Sequence, residues 1–119
     1  MKKLRFPGFR ACMTMMRKRN ALTQEEGYHA LLPRVVEFVP ELMKEFRREQ
    51  DHGLRCWLLH LIGEARDKRA LDLLIEQLHS TDESLRHQAI WGLQHLDTAE
   101  TRKALFEAGV PRRREHDPA

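Results

Sequence analysis

Residues 53–78, GLRCWLLHLIGEARDKRALDLLIEQL, are echoed further along the chain by residues 84–108, SLRHQAIWGLQHLDTAETRKALFEA. Leu54-Arg55 corresponds to Leu85-Arg86, Leu58 falls on Ala89, Leu59 on Ile90, Leu61 on Gly92 and Ile62 on Leu93. Self-similarity at a fixed period of this kind marks units that cannot bury an apolar face alone and do so by stacking. Leu71, Leu74, Ile75 and Leu78 stand at i, i+3, i+4 and i+7, one face of a helix. Each unit therefore reads as a helix hairpin. Asp67 opens the second helix of one unit, one position off register from Asp97 in the next, and Asp97 with Glu100 has capping-box spacing. Gly109 followed by Pro111 is a stop signal.

Working toward the N-terminus, apolar residues keep three- and four-residue spacing from Thr23 on, and no stretch alternates with the period of two that a strand requires. Thr23 with Glu26 predicts a helix start, and Pro33 and Pro40 fit first-turn positions, dividing residues 24–50 into two or three helical pieces. Leu42, Met43 and Phe46 give the last piece its buried face. The segment Glu41 to Gln50 runs into Leu54-Arg55 as Leu74 to Asp82 runs into Leu85-Arg86, so it reads as the second helix of an earlier, degenerate unit. The expected domain spans residues 23–110, with repeats at 24–50, 53–80 and 83–108. A basic, flexible extension is expected at 1–22 and a tail at 111–119.

These units resemble short HEAT repeats of the kind found in phycobilin-lyase-like proteins: a hydrophobic-Arg pair, small and aliphatic core residues, a turn with Asp, then a second amphipathic helix. The resemblance covers roughly 70 of the 119 residues and implies an all-α fold, an α-solenoid of antiparallel, armadillo-like helix hairpins in a right-handed superhelical stack. It also implies structural roles for Arg55 and Arg86 of the hydrophobic-Arg pairs and for Asp67 and Asp97 of the turns.

Composition excludes several classes. The longest nearly apolar run, Cys56 to Ile62, is far short of the roughly 20 residues a spanning helix needs. Cys12 and Cys56 form no CxxC pair and are too few for a disulfide framework, so a reducing cytoplasm is the expected compartment. The sequence pI of about 9.1 suggests an anionic partner, but the charge is segregated. The segment from Met1 to Gln24 carries seven basic side chains and no acid, whereas residues 25–110 hold 11 basic and 16 acidic ones. The repeats are acidic and the positive excess lies at the ends.

No G-x-S-x-G elbow, GxGxxG, P-loop or His-Glu dipeptide occurs. The expectation is a non-catalytic module without a cofactor that binds another protein. The candidate surface is the second-helix ridge of Asp72, Glu76 and His79, continued by Glu100, Lys103 and Glu107, whose acidity suits a basic partner and a role of the immunity or inhibitor kind. Trp91 is a second candidate contact, since Leu85, Ala89, Leu93 and Leu96 already supply its helix core and Trp is enriched in interface hot spots. Trp57 is expected in the core. Cys56, His60 and Glu64 at i, i+4, i+8 map onto His87, Trp91 and His95, so the two triplets should stand side by side. They contain ligand types zinc accepts, but no metal site is assigned to Cys56, His60, His87 or His95. The alternatives are a lyase-like or chaperone-like accessory role implied by the resemblance, and nucleic-acid binding through the N-terminal arm. Self-association through exposed repeat ends is a further expectation.

Overall fold

The computed structural model describes residues 5–111. Among these the chain forms α1 (Phe9–Met16), α2 (Ala21–Leu31), a 3-10 segment (Leu32–Phe38), α3 (Val39–Arg48), α4 (His52–Glu64), a 3-10 turn (Lys68–Ala70), α5 (Leu71–Leu78), α6 (Glu83–Leu96) and α7 (Ala99–Glu107), with no strand. Neighbouring helices pack in sequence, as in an α-solenoid: α1 on α2, α3 on α4, α5 on α6, and α6 on both α4 and α7. Pro33 and Pro40 both sit in first turns, where no helical N–H is lost.

The repeat proves stricter and longer than the sequence alone suggests. Asn20, Asp51 and Asp82, evenly spaced by one repeat, all have extended backbone and accept a hydrogen bond from the N–H three positions on, at 3.1, 2.9 and 3.0 Å. The first helix of each unit therefore starts with the same cap. Four positions past each cap, Gln24, Arg55 and Arg86 reach back to the carbonyls of Lys18, Glu49 and Ser80, at 2.6, 3.3 and 3.0 Å, tying each first helix to the end of the helix before it. The columns Leu31–Ile62–Leu93 and Val39–Ala70–Thr101 are completely buried. Three units thus run over 20–50, 51–81 and 82–109. Asn20 starts α2 ahead of the expected Thr23-Glu26 box.

Residues 9–16, expected within a flexible extension, instead form α1 and bury Phe9, Cys12, Met13 and Met16. The seven basic residues hide an amphipathic pattern in the same segment. Cys12 lies one repeat before Met43 and shares the register of the buried Leu74 and Leu105, so α1 is laid down as a second helix. Gly27 allows the contact: a Cβ there would come 2.7 Å from the Cys12 carbonyl oxygen and 2.8 Å from the Met15 Cβ. Residues 1–4, and the tail beyond Pro111, lie outside the described residues.

At the turn inside the second and third units the backbone enters the left-handed region, φ 48° at both Arg66 and Asp97. The following residue, Asp67 or Thr98, then caps the next helix. This removes the apparent slip between Asp67 and Asp97: at the full repeat offset Asp67 pairs with Thr98, and Arg66 with Asp97. Asp97 is therefore the left-handed C-cap of α6 rather than the N-cap of α7, and the capping box at α7 belongs to Thr98 and Thr101. At the far end, Val110 N–H bonds the Leu105 carbonyl and Gly109, at φ 78°, terminates α7 in the expected glycine stop.

Candidate functional site

The second helices carry a glutamate at the same register in every unit: Glu45, Glu76 and Glu107. Their surroundings differ. Glu45 has a side chain only 6% exposed, with Arg10 donating to Oε1 and Arg17 Nη2 donating to Oε2 at 2.9 Å. Burial works to raise its pKa, but the hydrogen bonds and charges of Arg17 and Arg10 outweigh this and hold the carboxyl below the usual range. Arg17 also bonds Glu49 Oε1 at 3.1 Å. Glu76, 55% exposed, meets one guanidinium, with Arg47 Nη1 and Nη2 at 3.1 and 3.3 Å from its two oxygens. Glu107 is exposed and has no ion pair among the described residues.

The other ridge candidates, Asp72, His79, Glu100 and Lys103, are all exposed on α5, at its end, or on α7. Backbone N–H at the start of α7 and the Thr98 hydroxyl hold the Glu100 carboxyl below its ordinary pKa, so it is a firm anion. Lys103 interrupts the acidity, while Arg102 is taken up by Asp97 at 2.9 Å.

Between the leading turns of the second and third units lies an open cleft of about 510 Å³. Glu76 and Gln77 form one wall, His52 and Arg55 the other, and Ser80 to Asp82 the rim. His52 Nε2 sits 2.9 Å from Asp82 Oδ2, and the carboxyl of Asp82 is held low by the Leu85 N–H and by His52. Arg55 lies over the Phe46 ring at 4.3 Å and spends Nη1 on the Glu49 carbonyl, while its buried Nε has no partner among the described residues. It pairs with neither Glu76 nor Asp82.

Trp91 belongs to the first-helix layer, away from the glutamate row. Its ring stacks on His60 at 4.5 Å and lies 4.0 Å from His95, and its edge covers Gly63, where a Cβ would come 3.0 Å from Cζ3. The indole therefore seals the α4–α6 seam. Tyr28 continues the ladder to Trp57 at 5.2 Å and His60 at 6.1 Å, so Trp57, expected in the core, is half-buried and bridges α4 to α2.

The two Cys/His triplets do meet, but as a packed stripe. His60 engages Gln88 at 3.0 Å and Glu64 at 3.4 Å, His95 Nδ1 engages the Trp91 carbonyl at 2.8 Å, and His87 faces Glu83 at 3.9 Å. Burial, with Asp82 adding, pushes the Cys56 thiol up, the wrong direction for a thiolate ligand. Among the described residues no three His, Cys, Asp or Glu side chains come together to hold an ion.

Arg55 and Arg86 are equivalent clamps in their units and Asp67 caps the helical turn that follows it, whereas Asp97 holds the register of Arg66 and ends α6 in the left-handed conformation. Reading the sequence by residue type missed Glu45, Gln24 and Asn20. Counting back by exactly one repeat from Glu76, Arg55 and Asp51 finds all three.

No helix among the described residues is long and apolar enough to cross a membrane. The family model for HEAT repeats matches residues 39–114. No curated protein and no solved structure matches the chain.

Proposed function

We propose that this chain, which belongs to the HEAT-repeat family and is built as a protein-interaction scaffold, is non-catalytic and binds a basic protein partner along the second-helix ridge. The observation that supports this reading is the glutamate row. The same acid is buried under two of the chain's own arginines in the first unit, shares one in the second and is exposed in the third. A row of acids presented at one spacing offers steering and register to a cationic surface. The role that suits it is inhibitory: covering the anion-binding face of a basic protein. Asp72, Glu76, Glu100 and Glu107 carry the contact, and His79 lies at its margin. Trp91 is set aside as a contact because its ring is spent on Gly63, His60 and His95.

Nucleic-acid binding through the N-terminal arm has less to recommend it, since Arg10 and Arg17 are committed to Glu45 and Glu49. Affinity capture tests the proposal. Glu76→Lys/Glu107→Lys should lose a basic prey that wild type retains, while Glu25→Lys/Glu26→Lys, with the same change of net charge on exposed α2 positions, should keep it. Equal retention by all three proteins refutes the ridge.

A further inference from the structure

The cleft between the leading turns of the second and third units has a twin one unit earlier, and the twin is filled. One repeat back, the wall residue Glu76 becomes Glu45, the rim residue Ser80 becomes Glu49, Asp82 becomes Asp51 and Arg55 becomes Gln24. In that earlier niche Arg17 enters from the turn after α1 and bonds both Glu45 and Glu49, while Arg10 takes the other oxygen of Glu45. Glu45 thus carries a guanidinium on each oxygen. In the later niche one guanidinium, that of Arg47, spans both oxygens of Glu76, where Glu45 takes two separate ones. Arg48, which holds the register of Arg17, is exposed and makes no ion pair with Glu76.

From this we infer that the open cleft is a guanidinium-accepting site, taking one arginine side chain of the partner as its twin takes Arg17. The inference rests on the proposal of a basic protein partner and assigns its anchoring contact. A carboxylate has about four lone-pair sites, so Glu76, with Arg47 on both oxygens and Gln77 Nε2 at 3.4 Å from Oε1, keeps room for a further N–H donor at Oε2. A planar guanidinium can donate to two acceptors at once, which an ammonium point charge does less well. Thr81 and Asp82 line the same space, Asp82 with one oxygen on the Leu85 N–H and the other facing His52. Arg55 does not occupy the site, because stacking on Phe46 and the bond to the Glu49 carbonyl draw its guanidinium to the inner wall. The cleft's volume of about 510 Å³ accommodates a long side chain that enters from the ridge.

The test is a titration of the isotopically labelled full chain with N-acetyl-arginine methylamide, followed by amide resonances. The result expected is a saturable shift at Gln50, Ser80 and Thr81, at least fivefold weaker in Glu76→Gln and at least threefold weaker for the lysine analogue. Glu76 is exposed, so the variant keeps its fold, and an unchanged spectrum away from the cleft verifies that. A second readout uses the twin: in Arg17→Ala, added methylguanidinium should raise the melting temperature more than it does in wild type. Absence of cleft shifts, or shifts indifferent to Glu76→Gln, overturns the inference. Shifts confined to Glu100–Glu107 also overturn it and leave the acidic-ridge reading standing.

Discussion

The two niches between successive leading turns share one register and differ in what fills them. The earlier one is closed: α1 lies against α2, and Arg10 and Arg17 neutralise a glutamate that is almost fully buried. The later one is open, and its glutamate is more than half exposed beside a single surface arginine. The comparison separates two uses of one residue. Buried and doubly paired, the glutamate fastens the N-terminal helix to the stack; exposed, it contributes little to stability and is available for contact.

The largest expected effect comes from breaking the closed niche. Arg10→Ala/Arg17→Ala leaves Glu45 buried without a cation and should cost about 3 kcal/mol, the low end for an orphaned buried charge, measured by urea denaturation. Arg47→Ala at the open niche should cost no more than about 0.5 kcal/mol. Similar losses from the two would erase the distinction.

Acid titration sharpens the same contrast. The Glu45 carboxyl is held below its unfolded value, so its contribution is present above the unfolded glutamate pKa of about 4.3 and disappears as pH falls through the lower folded value. In the double arginine variant burial acts alone and raises that carboxyl, so its buried charge penalises folding at neutral pH and the penalty lifts on acidification. Melting temperature followed from pH 7 to pH 3 should therefore fall in wild type and fall less, or rise, in the variant.

A smaller effect is expected in the first-helix layer. Trp91→Ala should cost about 2 kcal/mol, below the usual range for a fully buried Trp because the ring is only partly buried, and should leave capture of a basic prey unchanged once the variant is folded. Loss of prey with full stability would return Trp91 to the contact surface. The smallest effect tests the turn register: Thr98→Ala should cost about 1 kcal/mol as a lost cap, and Asp97→Gly should be neutral or stabilising by up to about 1 kcal/mol by relieving the left-handed backbone.

The fold was legible in the sequence wherever the apolar columns keep their residue class, as Leu58 to Ala89 and Leu74 to Leu105 do. It blurred where the same position changes chemistry. Asn20 for Asp51, Gln24 for Arg55 and Val39 for Thr101 preserve a hydrogen bond or a buried volume without preserving a recognisable letter. The helix at residues 9–16 was obscured for a different reason. Arg10 is its one basic residue, but Lys2, Lys3, Arg5, Arg17, Lys18 and Arg19 on either side make the whole segment read as basic. Glu45 and Glu49, the partners of Arg10 and Arg17, lie two helices further along the chain, on α3 and at its end. Trp91 shows the limit of argument from a single helix: the core of α6 is complete without it, and only the approach of Gly63 on α4 reveals the hole that the indole covers.

The measurement closest to the central claim is calorimetric titration of a short arginine-rich peptide into wild type, Glu76→Gln/Glu107→Gln and the charge-matched Glu25→Gln/Glu26→Gln. Binding at wild-type strength in the α2 variant and at least tenfold weaker in the ridge variant is the predicted result. Equal weakening in both would show that only bulk charge matters, and undiminished binding in the ridge variant would place the partner elsewhere; either contradicts the account.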